Sequence, residues 1–287
     1  MRFLAFEKAG RAGLAVAGKD GSFTGLQEGD SGFPGTLDQL LAKGGDALKQ
    51  AADALAAGDA IDPDQVNVRP PLARPPKIIC LGLNYMDHAK EAGLEVPDYP
   101  TVFVRFPTSL IGHNEAMIRP RVSDKLDYEG ELVAVIGKGG RHIPESEALD
   151  HVAGYSVFND GSVRDYQLMT SQWTVGKTFD GTGAFGPYLV TPEDVPAGAS
   201  GLKIETRLNG EVMQSSNTDQ LIFNVAKSIS LLSEAMTLEP GDTFVMGTPA
   251  GIGFARKPPV LMKPGDVCEV EIEGLGVLRS PIEDEKN

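Results

Sequence analysis

Asp127, Glu129 and Glu131 alternate along a stretch that turns apolar and β-branched from Leu132 to Ile136, the pattern of a buried strand. Alternate side chains of a strand point to the same face, so the three carboxylates share theirs with Val133 and Val135. Crowded carboxylates on a partly buried face repel one another unless they are protonated or hold a cation. A hard divalent ion such as Mg²⁺, which prefers oxygen ligands, resolves that cost. The first expectation is a metal site.

A second acidic position follows at Asp160, where an apolar run stops at Phe158. Asp160 has the pattern of an N-cap for a helix running to about Gln172. On that helix Asp160, Arg164 and Gln167 fall at i, i+4 and i+7, one face offering an acid, a guanidinium and an amide. Such a face can hold a metal at one end and an oxyanion at the other; a surface salt bridge is the plainer reading of Arg164. Lys177 lies between Trp173 and Phe179, shielded from solvent and suited to stand beside a developing negative charge. The tripeptide Gly176-Lys177-Thr178 is not a phosphate loop, because Gln172 stands where the upstream glycine belongs. His88 and Glu91 are three apart on a short helical piece after Tyr85, so the carboxylate can orient the imidazole as a general base. The glycine-rich loop from Gly247 to Gly253 offers backbone N–H groups and the Thr248 hydroxyl to a carboxylate, or is simply a tight connection.

The elements that must position these residues divide the chain in two. Residues 1–70 read as a small α/β unit, with short strands and one helix from about Leu37 to Ala57 carrying Leu37, Leu40, Leu41, Leu48 and Leu55 on one side. The proline-rich stretch from Arg69 to Pro76 reads as a linker. Residues 71–287 then carry many short strands separated by Gly and Pro, plus one amphipathic helix from about Asp219 to Met236. There is no βαβ rhythm, so the expected class is a strand-rich α+β fold.

Composition narrows the function classes. With 287 residues the chain can bury a sizeable core. The net charge of −14 argues against nucleic acid or an anionic membrane surface as partner. It allows a small anionic substrate where the site supplies positive charge. Two cysteines and four histidines argue against a disulfide framework or a zinc cluster. No signal-peptide core precedes Glu7 and Lys8, which points to the cytoplasm.

Taken together, these pieces resemble the fumarylacetoacetate hydrolase family. The resemblance rests on Gly82 to Tyr85 with His88 and Glu91, on Asp127 to Glu131, on Asn159 and Asp160 with Arg164 and Gln167, on Lys177, and on Gly247 to Gly251. It covers about residues 77 to 283, in the family's order. It implies a mixed β-sandwich roll, a homodimer, and Mg²⁺ or Mn²⁺ on Glu129, Glu131 and Asp160. Asp127 then becomes a positioning carboxylate. Catalysis would fall to His88, Glu91 and Lys177, and substrate binding to Arg164, Gln167, Thr248 and Tyr85. The first seventy residues lie outside the resemblance, as an extension of the kind that bacterial relatives carry.

The leading expectation is a metal-dependent hydrolase of a 2,4-dioxo acid, an acylpyruvate such as fumarylpyruvate or a diketo sugar acid from aromatic or sugar acid catabolism. His88 would activate water, and pyruvate or a related 2-oxo acid would leave as an enolate. Two alternatives use the same site: decarboxylation of oxaloacetate, and isomerisation of a hydroxymuconate-type diacid. A non-catalytic 2-oxo acid binding protein is the alternative of another class. Two departures from the family pattern, Leu83 before Asn84 and Arg105 before Phe106, leave substrate identity open. The helix bearing His88 is expected to act as a lid.

Overall fold

The computed structural model describes residues 1–86 and 98–286. Its spine is a 12-stranded mixed sheet. Neighbouring strands near the centre are Gly183–Val190, Val152–Asp160, Gly130–Ile136, Thr243–Val245 and Ile78–Gly82, with Thr101–Arg105 at the edge. Every residue of Gly130–Ile136 is buried. Leu132, Ala134 and Ile136 face one core, while Val133 and Val135 face another with Phe103, Phe158 and Phe185. Burial on both faces is why this strand reads as an unbroken apolar run. A five-stranded sheet, including Lys203–Leu208, Val267–Ile272 and Gly276–Asp284, closes the first core with Ile204, Val270 and Leu278. The strand-rich α+β class expected from the sequence is the one observed. No helix among the described residues is long and apolar enough to cross a membrane.

The first seventy residues are not set apart as a separate unit. Strand Arg2–Lys8 pairs antiparallel with Gly183–Val190, joining the N-terminus to the central sheet. Leu37, Leu40, Leu41 and Leu55 pack into the same core as Val133, Phe158 and Phe185. An apolar stripe shows that a helix must be covered but not what covers it. The single helix expected from Leu37 to Ala57 is two, Leu37–Lys43 and Ala47–Ala56. Gly44 and Gly45 between them both take positive φ, which ends a right-handed helix. The helix expected from Asp219 is shorter, Val225–Ala235, because the Asn224 side chain accepts from the Lys227 N–H and starts it there.

Candidate metal centre and active-site cavity

The acidic stretch is not one continuous strand. Leu126–Asp127 pairs with Ser162–Val163 in a small sheet of its own. Gly130–Ile136 pairs with Val152–Asp160, Glu131 standing opposite Phe158 and Gly130 opposite Asn159. Tyr128 and Glu129 make the turn between them, and Glu129 is fixed on both sides. Its N–H donates to Asn159 Oδ1 at 3.0 Å, and its carbonyl accepts from the Asp160 N–H at 2.8 Å. Asp160 is therefore the last residue of a strand and not a helix N-cap. The helix thought to begin there is a single turn, Arg164–Gln167. Strand pairing, rather than helical spacing, brings Asp160 beside Glu129.

Ligand oxygens of Glu129, Glu131 and Asp160 all lie within 4.8 Å of one another, and all three residues are buried. Fixed cations hold two of them. Lys177 Nζ is 2.6 Å from both Glu129 Oε2 and Asp160 Oδ2. Arg164 Nη1 is 2.6 Å from Glu129 Oε1. Arg105 takes Asp160 Oδ1. Asp127 pairs with Arg164 instead of joining the triad, matching its expected positioning place. Four buried carboxylates thus meet three buried cations, and Glu131 is the one without an ion pair among the described residues. Its Oε2 accepts the Gly247 N–H.

This imbalance sets the electrostatics. Burial raises the Glu129 carboxyl, but the Lys177 and Arg164 charges outweigh it and hold it down at about 2. Burial, reinforced by Asp160 and Glu129, holds Glu131 well above the usual carboxylate range. Burial disfavours the charged Lys177 amine, yet Asp160 and Glu129 more than offset it and keep it an ammonium. Three convergent hard oxygen donors, one uncompensated, fit a divalent ion: its charge would relieve Glu131 and would share Glu129 and Asp160 with the Lys177 ammonium.

Two of the three carboxylates, Glu129 and Glu131, open into a cavity of about 240 Å³ lined also by Arg164, Gln167, Lys177 and Thr248, with Asp160 buried behind them. Its walls are apolar, including Leu83, Phe103, Trp173 and Phe254. Trp173 meets Phe103 edge-on, ring centroids 5.7 Å apart. A Cβ on Gly82 would lie 2.2 Å from the Trp173 ring, so only glycine lets the indole sit there. The volume falls below the roughly 300–1,000 Å³ of pockets for drug-sized ligands, and suits an acid of a few carbons.

The expected site residues separate into groups. Glu129, Glu131, Asp160, Lys177, Arg164 and Gln167 come together. The Arg164 charge is divided between Asp127 and Glu129, and its Nη1 also donates to Gln167 Oε1 at 2.8 Å. Lys177 lies over the Phe103 ring at 5.0 Å, not against Phe179, whose ring meets Tyr166. The Thr248 hydroxyl donates to the Gly130 carbonyl at 3.0 Å and accepts from Gln214 at 2.8 Å, so it binds its loop to the acidic strand while facing the cavity. Tyr85 is fully buried beside Leu221 and is absent from the cavity lining. The side-chain amide of its neighbour Asn84 donates to the Phe223 and Met246 carbonyls and accepts the Phe223 N–H. His88, Glu91 and the expected lid lie outside the described residues. Sequence reasoning missed the part played by Arg105: it comes from strand Thr101–Arg105, where an alternating pattern buries Phe103 and Arg105 and exposes Val102 and Val104. The alternation is one of burial only, since Val102, Phe103 and Val104 are all apolar and leave no signal in the sequence.

Residues 77–283 match the family model described as Fumarylacetoacetate (FAA) hydrolase C-terminal. The chain belongs to the fumarylacetoacetate hydrolase family, a family of enzymes whose members typically use a divalent metal. It is 44% identical over 264 residues to the mitochondrial oxaloacetate tautomerase Fahd2a of Rattus norvegicus, covering 91% of this chain and 84% of that one. The structure of a fumarylacetoacetate hydrolase from psychrophilic Exiguobacterium antarcticum superposes with a TM-score of 0.87 at 34% identity, over 99% of this chain and 100% of that one. A 5-carboxymethyl-2-hydroxymuconate delta-isomerase from Mycobacterium smegmatis gives 0.78 at 26% identity, each chain fully covered.

Proposed function

We propose that this protein interconverts the keto and enol forms of a small 2-oxo diacid of the oxaloacetate type, with Mg²⁺ or Mn²⁺ on Glu129, Glu131 and Asp160. The observation that carries the proposal is the Lys177 ammonium, 2.6 Å from two of those carboxylates and facing the same small cavity. Keto–enol exchange moves a proton between carbon 3 and the 2-oxo oxygen through an enolate, and what it needs is a fixed positive charge where that oxygen becomes anionic. A divalent ion, when bound, would polarise the 2-oxo acid as a Lewis acid. Lys177 is held at the site by Glu129 and Asp160, which keeps its positive charge beside the position where that oxygen becomes anionic. Gln167, held by Arg164, faces the cavity and can orient a carboxylate or carbonyl. The name of the rat relative supports this choice over the hydrolysis that the sequence first suggested.

Hydrolysis of a 2,4-dioxo acid remains the second reading, supported by the name of the Exiguobacterium antarcticum structure, which aligns over nearly the whole chain. One experiment separates them. The metal-loaded protein is incubated with oxaloacetate and, separately, with acylpyruvates, while enol absorbance and products are followed. Faster keto–enol equilibration of oxaloacetate with no carbon–carbon cleavage supports the proposal. Pyruvate release from an acylpyruvate without any effect on oxaloacetate overturns it.

A further inference from the structure

We infer that Arg105 determines which divalent ion the centre prefers, by confining Asp160 to a single coordinating oxygen. This rests on the metal site proposed above. The Arg105 side chain is fully buried and paired with Asp160 Oδ1, while Oδ2 turns toward Glu129 and Lys177. The guanidinium is anchored all round. Nη1 also donates to the Gly161 carbonyl at 3.2 Å, Nη2 to Thr182 Oγ1 at 2.8 Å, and Nε to Ser109 Oγ at 3.3 Å. Its Cζ lies over the Phe158 ring, 5.7 Å from the centroid. Position 183 is shaped to admit it: a Cβ on Gly183 would come within 2.9 Å of Nη2 and 3.0 Å of Nε. A five-donor planar head held on this many sides is a fixed object, which a lysine would not be.

Both Asp160 oxygens carry a cation, but Arg105 at Oδ1 is anchored by Ser109, Gly161 and Thr182, whereas Oδ2 is held by the single-stemmed Lys177 ammonium, so Oδ2 is the oxygen a dication can claim by displacing that contact. Ca²⁺ accepts six to eight oxygens and takes carboxylates in bidentate fashion, whereas Mg²⁺ demands a compact octahedron of single oxygens. A carboxylate restricted to one oxygen therefore disfavours Ca²⁺ relative to Mg²⁺. Removing the Arg105 charge alters the attraction for both ions alike, because both carry the same charge. The ratio of their affinities isolates the geometric effect.

Binding of Mg²⁺ and of Ca²⁺ to the full-length protein is measured by calorimetry without substrate, for the unmutated protein, Arg105→Met, Arg105→Lys and Thr182→Val. Arg105→Met is expected to shift the Mg²⁺/Ca²⁺ preference toward Ca²⁺ by about tenfold, the lower end of effects seen when a ligand's support is removed. Arg105→Lys, which keeps a charge near Oδ1, should restore part of the preference. Thr182→Val removes one anchor while leaving the Asp160 pairing, and should shift the ratio in the same direction by less. Thr182→Val decides the matter alone where Arg105→Met fails to fold. Equal changes for both ions in every folded variant overturn the role of Arg105 but leave the metal site standing. Absence of binding of either ion to the unmutated protein overturns both.

Discussion

Asp127 and Arg164 form a fully buried ion pair, Nη2 lying 2.7 Å and Nε 2.8 Å from Oδ2. The same carboxylate accepts the N–H groups of Gly253 and Phe254, each at 2.9 Å. One side chain thus ties the guanidinium that grips Glu129 to the loop carrying a cavity wall. Asp127→Asn should lower activity by about 10- to 100-fold, as loss of a ligand's support does. It should also cost about 1–3 kcal/mol of stability, because Arg164 keeps Glu129 as a partner but loses a buried charged acceptor. Urea denaturation and steady-state kinetics measure both; a change of less than twofold in activity would show that the network is incidental.

Lys177→Met should lower kcat by at least about 10²-fold, the typical loss when one oxyanion-stabilising donor is removed. Lys177→Arg should not restore it, since the cation sits between Glu129 and Asp160 in space shaped for an ammonium. Circular dichroism confirms folding of each variant. Full activity of Lys177→Met would remove the residue from the chemistry.

Gly82→Ala tests the cavity wall. The added methyl would meet the Trp173 ring at 2.2 Å and push the indole inward or outward. Overpacking of this kind costs about 1–3 kcal/mol. KM should rise more than kcat falls, because Trp173 and Phe103 line the substrate's space and touch no reacting atom. Unchanged KM in the folded variant would place substrate elsewhere.

Away from the site, His113 makes stability depend on pH. Burial, with the nearby Arg279 charge, lowers its pKa, and its Nδ1 accepts the Arg279 N–H at 3.1 Å. The folded state then binds a proton less readily than the unfolded one. Its contribution is complete above the unfolded value of about 6.5 and is lost as pH falls through the lower folded value. Melting temperature should fall on acidification below about pH 6.5 more steeply in the unmutated protein than in His113→Gln. Identical slopes would assign the acid sensitivity to other groups.

The residues legible in the sequence were those whose neighbours in the chain are also their neighbours in space. Glu129 and Glu131 stood out because they flank Gly130 on the edge of an apolar run, and Lys177 because aromatic residues bracket it. Asp160 was found for the wrong reason: an acid after an apolar run fits a helix cap and a strand end equally well, and pairing with Gly130–Ile136 decides it. Strand Gly183–Val190 escaped notice because Gly183, Gly186 and Pro187 are poor strand formers. Yet it joins the N-terminal strand to the centre. Arg105 carried no motif. Its partners Ser109, Asp160, Thr182 and Gly183 are brought together only by the fold.

Enolate chemistry on a metal held by Glu129, Glu131 and Asp160 has a direct optical readout. The most direct measurement follows the enol absorbance of oxaloacetate as it relaxes to equilibrium, with and without Mg²⁺, for the unmutated protein, Glu131→Gln and Lys177→Met. Rapid relaxation is expected of the Mg²⁺-loaded unmutated protein, with loss of that acceleration in both variants. Relaxation at the background rate in the presence of folded protein with Mg²⁺ bound would contradict it.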